Sequence, residues 1–128
     1  MSKVRFQCEF PIRSSRGVLY AAVSTPSGLS EWFCDDVNIR NTRHEFAWND
    51  DISIAHLIAK KRDEFVRFQW ESQEEGPTDA FFEFRIKVDA LTGDTTLVIT
   101  DFAYPEECED ERGLWEAQVE RLRQVLGA

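Results

Sequence analysis

The sequence predicts an α+β domain built on a curved antiparallel sheet of about seven strands. Two short helices are expected after the first strand, and a long helix is expected at the C-terminal end. Three observations lead to this prediction. The first strand and the middle of the chain carry apolar residues at every second position, with short turns between the segments. The C-terminal residues change to the period of an amphipathic helix.

Composition indicates one domain covering residues 1–128. Of the 128 residues, 42% are hydrophobic and 30% are charged, which is enough apolar material for a single core. The net charge of −9 argues against nucleic acid as a partner, because phosphates are bound through clustered Lys and Arg. No apolar run approaches the roughly 20 residues of a membrane-spanning helix, and the first residues lack a secretory signal. We therefore expect a cytoplasmic protein without membrane insertion.

The pattern of potential metal ligands and nucleophiles is sparse. Three cysteines without a C-x-x-C pair suggest neither a disulfide framework nor a zinc site, and Cys8 and Cys34 are expected to be buried thiols. The two histidines, twelve residues apart, lack a third ligand. A glycine-flanked nucleophilic serine and a glycine-rich phosphate loop are both missing. The sequence therefore predicts no metal and no cofactor.

The first strand and the helices after it follow from local signals. Apolar and polar residues alternate from 3 to 12, and Pro11 suits the end of a strand. Ser14 and Ser15 offer an N-cap for the first short helix. Thr25 is predicted to cap the second helix, because the proline that follows it occupies the first helical position without losing a hydrogen bond.

The stretch "STPSGLSEWF" is predicted to form a structural corner between helix and strand. Leu29, Trp32 and Phe33 are spaced by three and four residues and form one apolar helix face. Asp35 and Asp36 end the helix, and the second strand follows. We expect Trp32 to be mostly buried.

The middle of the chain predicts an antiparallel meander. Polar turn residues separate the apolar segments, including Gly76–Pro77 and Thr92–Asp94. The predicted strands cover residues 43–48, 52–59, 64–71, 80–88 and 95–104.

The C-terminal helix is predicted from residue 109 onward. Acidic residues occupy its first turn, where the helix dipole favours them. Trp115, Val119, Leu122 and Leu126 recur at spacings of four, three and four, and Gly127 ends the helix. We expect this apolar face to pack across the concave face of the sheet.

This order of elements is the helix-grip arrangement, and the chain resembles the START-like (SRPBCC) superfamily. Within it, the branch that looks like the activator of the heat-shock protein 90 ATPase is the most similar. The resemblance rests on "LYAAVSTPSGLSEWF" (19–33), "TLVITDFA" (96–103) and "LWEAQVERLRQVLGA" (114–128). It implies the fold and leaves the function open, because the superfamily includes lipid carriers, hormone receptors, polyketide cyclases and co-chaperone domains.

A cavity between the sheet and the C-terminal helix is the expected ligand site. His56 shares its strand parity with nearby isoleucines and is predicted to point inward as a polar contact. His44, at the beginning of its strand, is expected to be exposed. Plain core packing is the alternative role for the aromatic residues. The candidate ligand-binding residues are Trp48, His56, Phe68, Trp70, Phe84 and Trp115.

Three functions follow from this interpretation. The leading hypothesis is a non-catalytic binding module for a small apolar or amphipathic molecule, which is expected to be mainly apolar with one neutral or cationic polar group. The alternative is a protein-interaction domain, similar to the co-chaperone branch, with a filled core. A cyclase- or hydratase-like enzyme is third, and Asp101 is its candidate acid or base, although the strand pattern leaves the direction of that side chain ambiguous.

Overall fold

The computed structural model describes residues 2–71 and 80–128, and it confirms the predicted fold class and order of elements. The predicted Gly76–Pro77 turn lies outside the described residues. A 3₁₀ turn (Pro105–Glu107) precedes the last helix. The elements are β1 (Val4–Ile12), α1 (Arg16–Ser24), α2 (Pro26–Trp32), β2 (Asp36–Arg40), β3 (Arg43–Trp48), β4 (Asp51–Lys61), β5 (Phe65–Trp70), β6 (Phe82–Val88), β7 (Thr95–Ala103) and α3 (Cys108–Leu126).

The seven strands form one antiparallel sheet in the order β1-β7-β6-β5-β4-β3-β2. Strands β2 to β7 make the predicted meander, while β1 joins the sheet by pairing with β7 from Val4↔Ala103 to Ile12↔Thr95. The register of β4 against β5 shifts between Leu57 and Ala59, which is a β-bulge. Such bulges bend and twist the strand that carries them.

Both short helices begin at the predicted caps. The Ser15 hydroxyl accepts a hydrogen bond from the Val18 backbone N–H at 3.2 Å. The Thr25 hydroxyl accepts one from the Gly28 N–H at 3.0 Å and donates one to the Ala21 carbonyl at 2.7 Å. Thr25 therefore joins the end of α1 to the start of α2, and this contact fixes the corner between them.

Helix α3 packs through the predicted face. Trp115, Val119 and Leu122 are buried, Leu126 is partly buried against the core, and Gly127 ends the helix with φ of 68°. Its polar side also reaches the free edge of β1. Arg112 Nη1 donates to the carbonyl of Gln7 at 2.7 Å, and Arg123 Nη2 donates to that of Pro11 at 2.9 Å.

Cys8 and Cys34 are buried free thiols, as expected. Among the helices of the described residues, none combines the length and the apolar character that crossing a bilayer requires.

Candidate functional site

The space between the sheet and α3 is occupied by aromatic rings centred on Phe33, which is 3% exposed. Its ring stacks on that of Trp115, with centroids 5.8 Å apart and planes 8° apart. It also meets the rings of Phe46, Phe82 and Phe84 at centroid distances of 5.1 to 5.8 Å. Through these contacts Phe33, at the end of α2, fills the space between the sheet and α3.

Three predicted cavity-wall residues belong to this packed cluster. Phe68, Phe84 and Trp115 are 1%, 0% and 6% exposed. Phe68 stacks on Phe82 at 5.0 Å, and Phe84 meets Trp115 edge-on at 5.7 Å. Their surroundings match the core-packing alternative, because their rings contact other protein rings. Direct ligand contact by these three residues stays a prediction.

Two further predicted residues, Trp48 and Trp70, form what we call the tryptophan pair. Their ring centroids lie 6.2 Å apart with planes tilted by 53°. They are the last residues of β3 and β5, which run in the same direction, so both lie at the same end of the sheet. Trp48 is half-buried and donates from Nε1 to the Phe33 carbonyl at 2.7 Å, while Trp70 remains 36% exposed. The pair therefore covers the aromatic core with partly accessible rings.

Three acidic residues lie close to Trp48 in the strand register or along the chain. Asp51 is directly opposite Trp48 in the β3–β4 register, and cross-strand partners project to the same face. Asp35 Oδ2 accepts a hydrogen bond from the Asn49 N–H at 2.6 Å, next to exposed Asp50. Within residues 2–71 and 80–128, none of these three carboxylates takes part in an ion pair.

The buried thiol of Cys34, which precedes Asp35 in the chain, is also affected by nearby carboxylates. Burial raises its pKa to about 12, and the carboxylates of Asp36 and Asp35 add to the increase. Arg121 of α3 acts in the opposite direction and does not outweigh them.

The predicted inward orientation of His56 is wrong. Its side chain is 39% exposed, and Nε2 lies 3.4 Å from the Glu71 carboxylate. Ala55, with 0% exposure, occupies the inward position instead, and Ile52 is 66% exposed. The isoleucines misled the prediction, because β-branched residues favour strands on either face, whereas pairing with β3 and β5 sets which face is buried.

The predicted exposure of His44 is also wrong, since it is 3% exposed. Its ring meets Phe68 edge-on at 4.9 Å, and Nδ1 lies 3.0 Å from the Thr42 carbonyl. Burial lowers the pKa of His44. Its parity with Phe46 and Trp48 is the sequence signal that identifies it as the inward histidine.

Asp101 faces inward, which resolves the ambiguous pattern of β7. It is opposite Phe6 in the β1–β7 register. One carboxylate oxygen accepts from the Phe102 N–H at 2.8 Å, and the other accepts from Trp115 Nε1 at 3.0 Å. Burial raises the pKa of Asp101, and both hydrogen bonds oppose that increase.

Metal binding finds no support in the described parts of the chain, where no three His, Cys, Asp or Glu side chains are grouped closely enough. An open groove of about 470 Å³ lies between β1 and α3, outside the aromatic cluster. It is lined by Gln7, Cys8, Glu9, Phe10, Arg112 and Glu116.

A curved antiparallel sheet with one long helix packed across it is a helix-grip domain. In this chain, partly accessible rings lie at one end of the sheet. The model of the START-like superfamily domain matches residues 1–128. The chain therefore belongs to the START-like superfamily, as its sequence resemblance indicated. The comparison with curated proteins finds no match.

Solved structures share the fold over nearly the whole chain. The solution structure of BfR322 from Bacteroides fragilis is 34% identical, with a TM-score of 0.68, covering 98% of this chain and 93% of that one. The Aha1 dimer from Colwellia psychrerythraea is 16% identical, with a TM-score of 0.79 and 96% of each chain covered. DynU16, from the dynemicin biosynthetic locus, is 17% identical with a TM-score of 0.78, covering 97% of this chain and 47% of that one.

Proposed function

We propose that this domain is a non-catalytic binding module for a small apolar or amphipathic molecule, which binds against the tryptophan pair. The START-like fold is consistent with a ligand-binding module. The observation that carries the proposal is the partial exposure of Trp48 and Trp70 directly above an otherwise buried aromatic cluster.

The tryptophan pair suits an apolar ligand because each ring is already held in place. Trp48 is fixed by its hydrogen bond to the Phe33 carbonyl, and Trp70 packs on Phe82 at a centroid distance of 4.8 Å. Rigid aromatic rings offer a large contact area with little loss of side-chain entropy on binding. The ligand would cover the exposed part of these rings and leave Phe33 in place.

The proposal is tested by titrating three ligands with the same octyl tail, 1-octanol, nonanoate and octyltrimethylammonium, while following tryptophan fluorescence and heat. We expect saturable binding with one site per chain for at least one of them. Trp70→Ala should weaken that binding about tenfold or more, because the ring is a main contact surface.

Phe81→Ala is the matched control. Phe81 is also partly exposed, but its ring packs on Phe102 and under Arg67, on the other face of the sheet. This variant should bind like the wild type. Absence of binding by all three compounds, or equal losses in both variants, would contradict the proposal.

A protein-interaction domain is the second candidate, and the charge of the outer sheet face favours it. Within the strands of the described residues, the register places seven basic and four acidic residues on that face, and Glu71, just past β5, adds a fifth acid beside His56. The whole chain, by contrast, carries −9. Ile52 is 66% exposed on the same face. The basic residues are Arg5, Arg40, Arg43, Lys61, Arg67, Arg85 and Lys87, and the acidic ones are Glu9, Asp36, Glu45 and Glu83.

Such a face fits an acidic protein segment that also carries apolar side chains. A labelled peptide rich in Glu and Phe should then bind, and the change of Arg40 and Lys87 to Glu should abolish binding. Arg121→Glu, at an exposed position of α3, is the control. Failure of the peptide to bind at low salt would remove this candidate.

A further inference from the structure

Building on the proposed function, we propose that the tryptophan pair binds the cationic head of its ligand, an alkylammonium or quaternary ammonium group. Cations are attracted to the faces of aromatic rings, and tryptophan is the strongest partner among them. The two indole rings, with centroids 6.2 Å apart and planes tilted by 53°, are both partly accessible, so such a head can pack against their exposed parts.

In the part of the chain that the structure describes, the protein's own cations lie over other rings than the tryptophan pair. In the described residues, guanidinium and ammonium groups lie over rings elsewhere, such as Arg67 over Phe81 at 4.5 Å and Arg112 over Phe6 at 5.1 Å. None of these cations lies over Trp48 or Trp70.

The charges near the tryptophan pair complement a cation. Asp51 shares the face of Trp48 as its cross-strand partner, and Asp35 is tied to the turn that follows Trp48 by its bond to the Asn49 N–H. These carboxylates have no Lys or Arg ion-pair partner among residues 2–71 and 80–128. An anionic head at the same place would meet uncompensated repulsion. The carboxylates therefore favour a positively charged head, while the rings provide the contact surface.

The three octyl ligands measure this selectivity directly by isothermal titration calorimetry. Octyltrimethylammonium should bind roughly tenfold more tightly than 1-octanol, and nonanoate should bind most weakly. Raising the salt concentration from about 50 to 500 mM should reduce the advantage of the cation, because its attraction to exposed carboxylates is screened. The affinity of 1-octanol should change little.

Asp51→Asn removes the charge of this side chain and keeps its shape. It should weaken binding of octyltrimethylammonium several-fold and leave 1-octanol unchanged. Asp110→Asn, at the exposed start of α3, is the control and should change neither. The variants carry exposed substitutions, and their folding is checked by thermal unfolding.

The outcomes distinguish this inference from the proposed function. Equal binding of 1-octanol and octyltrimethylammonium, with no effect of Asp51→Asn, would overturn the cationic head and keep the binding module. Absence of binding by all three compounds would overturn both. A dimer that dissociates on Trp70→Ala in light scattering would place a second copy of the chain on the pair and also overturn the inference.

Discussion

The indole Nε1 of Trp115 donates a hydrogen bond of 3.0 Å to a carboxylate oxygen of Asp101, which joins α3 to β7 beneath the helix. The other carboxylate oxygen is held by the Phe102 backbone N–H. This polar link between α3 and the inner face of β7 is thus made by an acid whose pKa is raised by burial. Its ionisation is therefore coupled to the stability of the fold.

Asp101→Asn should flatten the dependence of stability on pH. Because the folded state raises the pKa of Asp101, its contribution is fully present below the unfolded pKa of about 3.9 and is lost as pH rises through the folded value. Relative to the Asn variant, the wild type should lose stability over that window. Urea unfolding between about pH 3.5 and 8 measures the difference. Identical slopes for the two proteins would contradict the assignment.

Two substitutions at Trp115 distinguish the stability that its packing contributes from the stability that its hydrogen bond contributes. Trp115→Ala removes a ring that stacks on Phe33 and should lower the free energy of unfolding by about 3–5 kcal/mol. Trp115→Phe keeps an aromatic ring but removes the donor to Asp101, so a smaller loss of about 1–2 kcal/mol is expected. It should also raise the pKa of Asp101 further, because that hydrogen bond lowers it. Equal losses in the two variants would contradict this separation.

Glu83→Gln should destabilise the outer face of the sheet. The buried Glu83 carboxylate accepts hydrogen bonds of 2.8 Å from Arg67 Nε and Arg85 Nε, so the amide would leave two guanidiniums without their shared counter-charge. We expect a loss of about 2–3 kcal/mol, below the value for a fully buried pair, because both arginines are about a third exposed. Glu45→Gln, at the more exposed pair with Arg43, is the control and should lose less than about 1 kcal/mol.

Glu83 should also make the stability of the fold sensitive to acid. Burial raises the pKa of Glu83, but the hydrogen bonds from Arg85 and Arg67 outweigh it and hold the pKa below its ordinary value. Its contribution is therefore present above the unfolded pKa of about 4.3 and is lost as pH falls through the lower folded value. Denaturant unfolding should show this loss in the wild type and not in Glu83→Gln. A wild-type stability that does not fall with acid relative to the variant would contradict it.

Two glycine-to-alanine changes should have opposite signs. A Cβ at Gly28 would overlap the Ala21 carbonyl oxygen, so Gly28→Ala must push α2 away from α1 and should destabilise the domain. Gly113, in α3, has open space within 4 Å of the position that a Cβ would occupy, and Ala there should stabilise by up to about 1 kcal/mol through helix propensity. Thermal unfolding compares them. Stabilisation by Gly28→Ala would contradict the close approach of α1 and α2.

Most of the fold could be predicted from the sequence because its signals are local. Ser15 and Thr25 cap the helices that their positions indicated, and the spacing from Trp115 to Leu122 defined the buried face of α3. Capping and helical periodicity depend on residues within a turn or two of one another, so they act before any tertiary contact forms. The family resemblance then indicated how the elements are arranged in space.

The candidate site depended on contacts between distant segments, and there the sequence alone was insufficient. Strand β4 carries apolar residues on both faces, so its own pattern did not determine whether Ala55 or His56 lies inside; the pairing with β3 and β5 did. Likewise, only packing shows that Phe33, 82 residues before Trp115, fills the space between sheet and helix. The sequence determined which rings are available, and the tertiary structure decided that, among the five aromatic candidates for the ligand site, Trp48 and Trp70 are the ones left partly accessible.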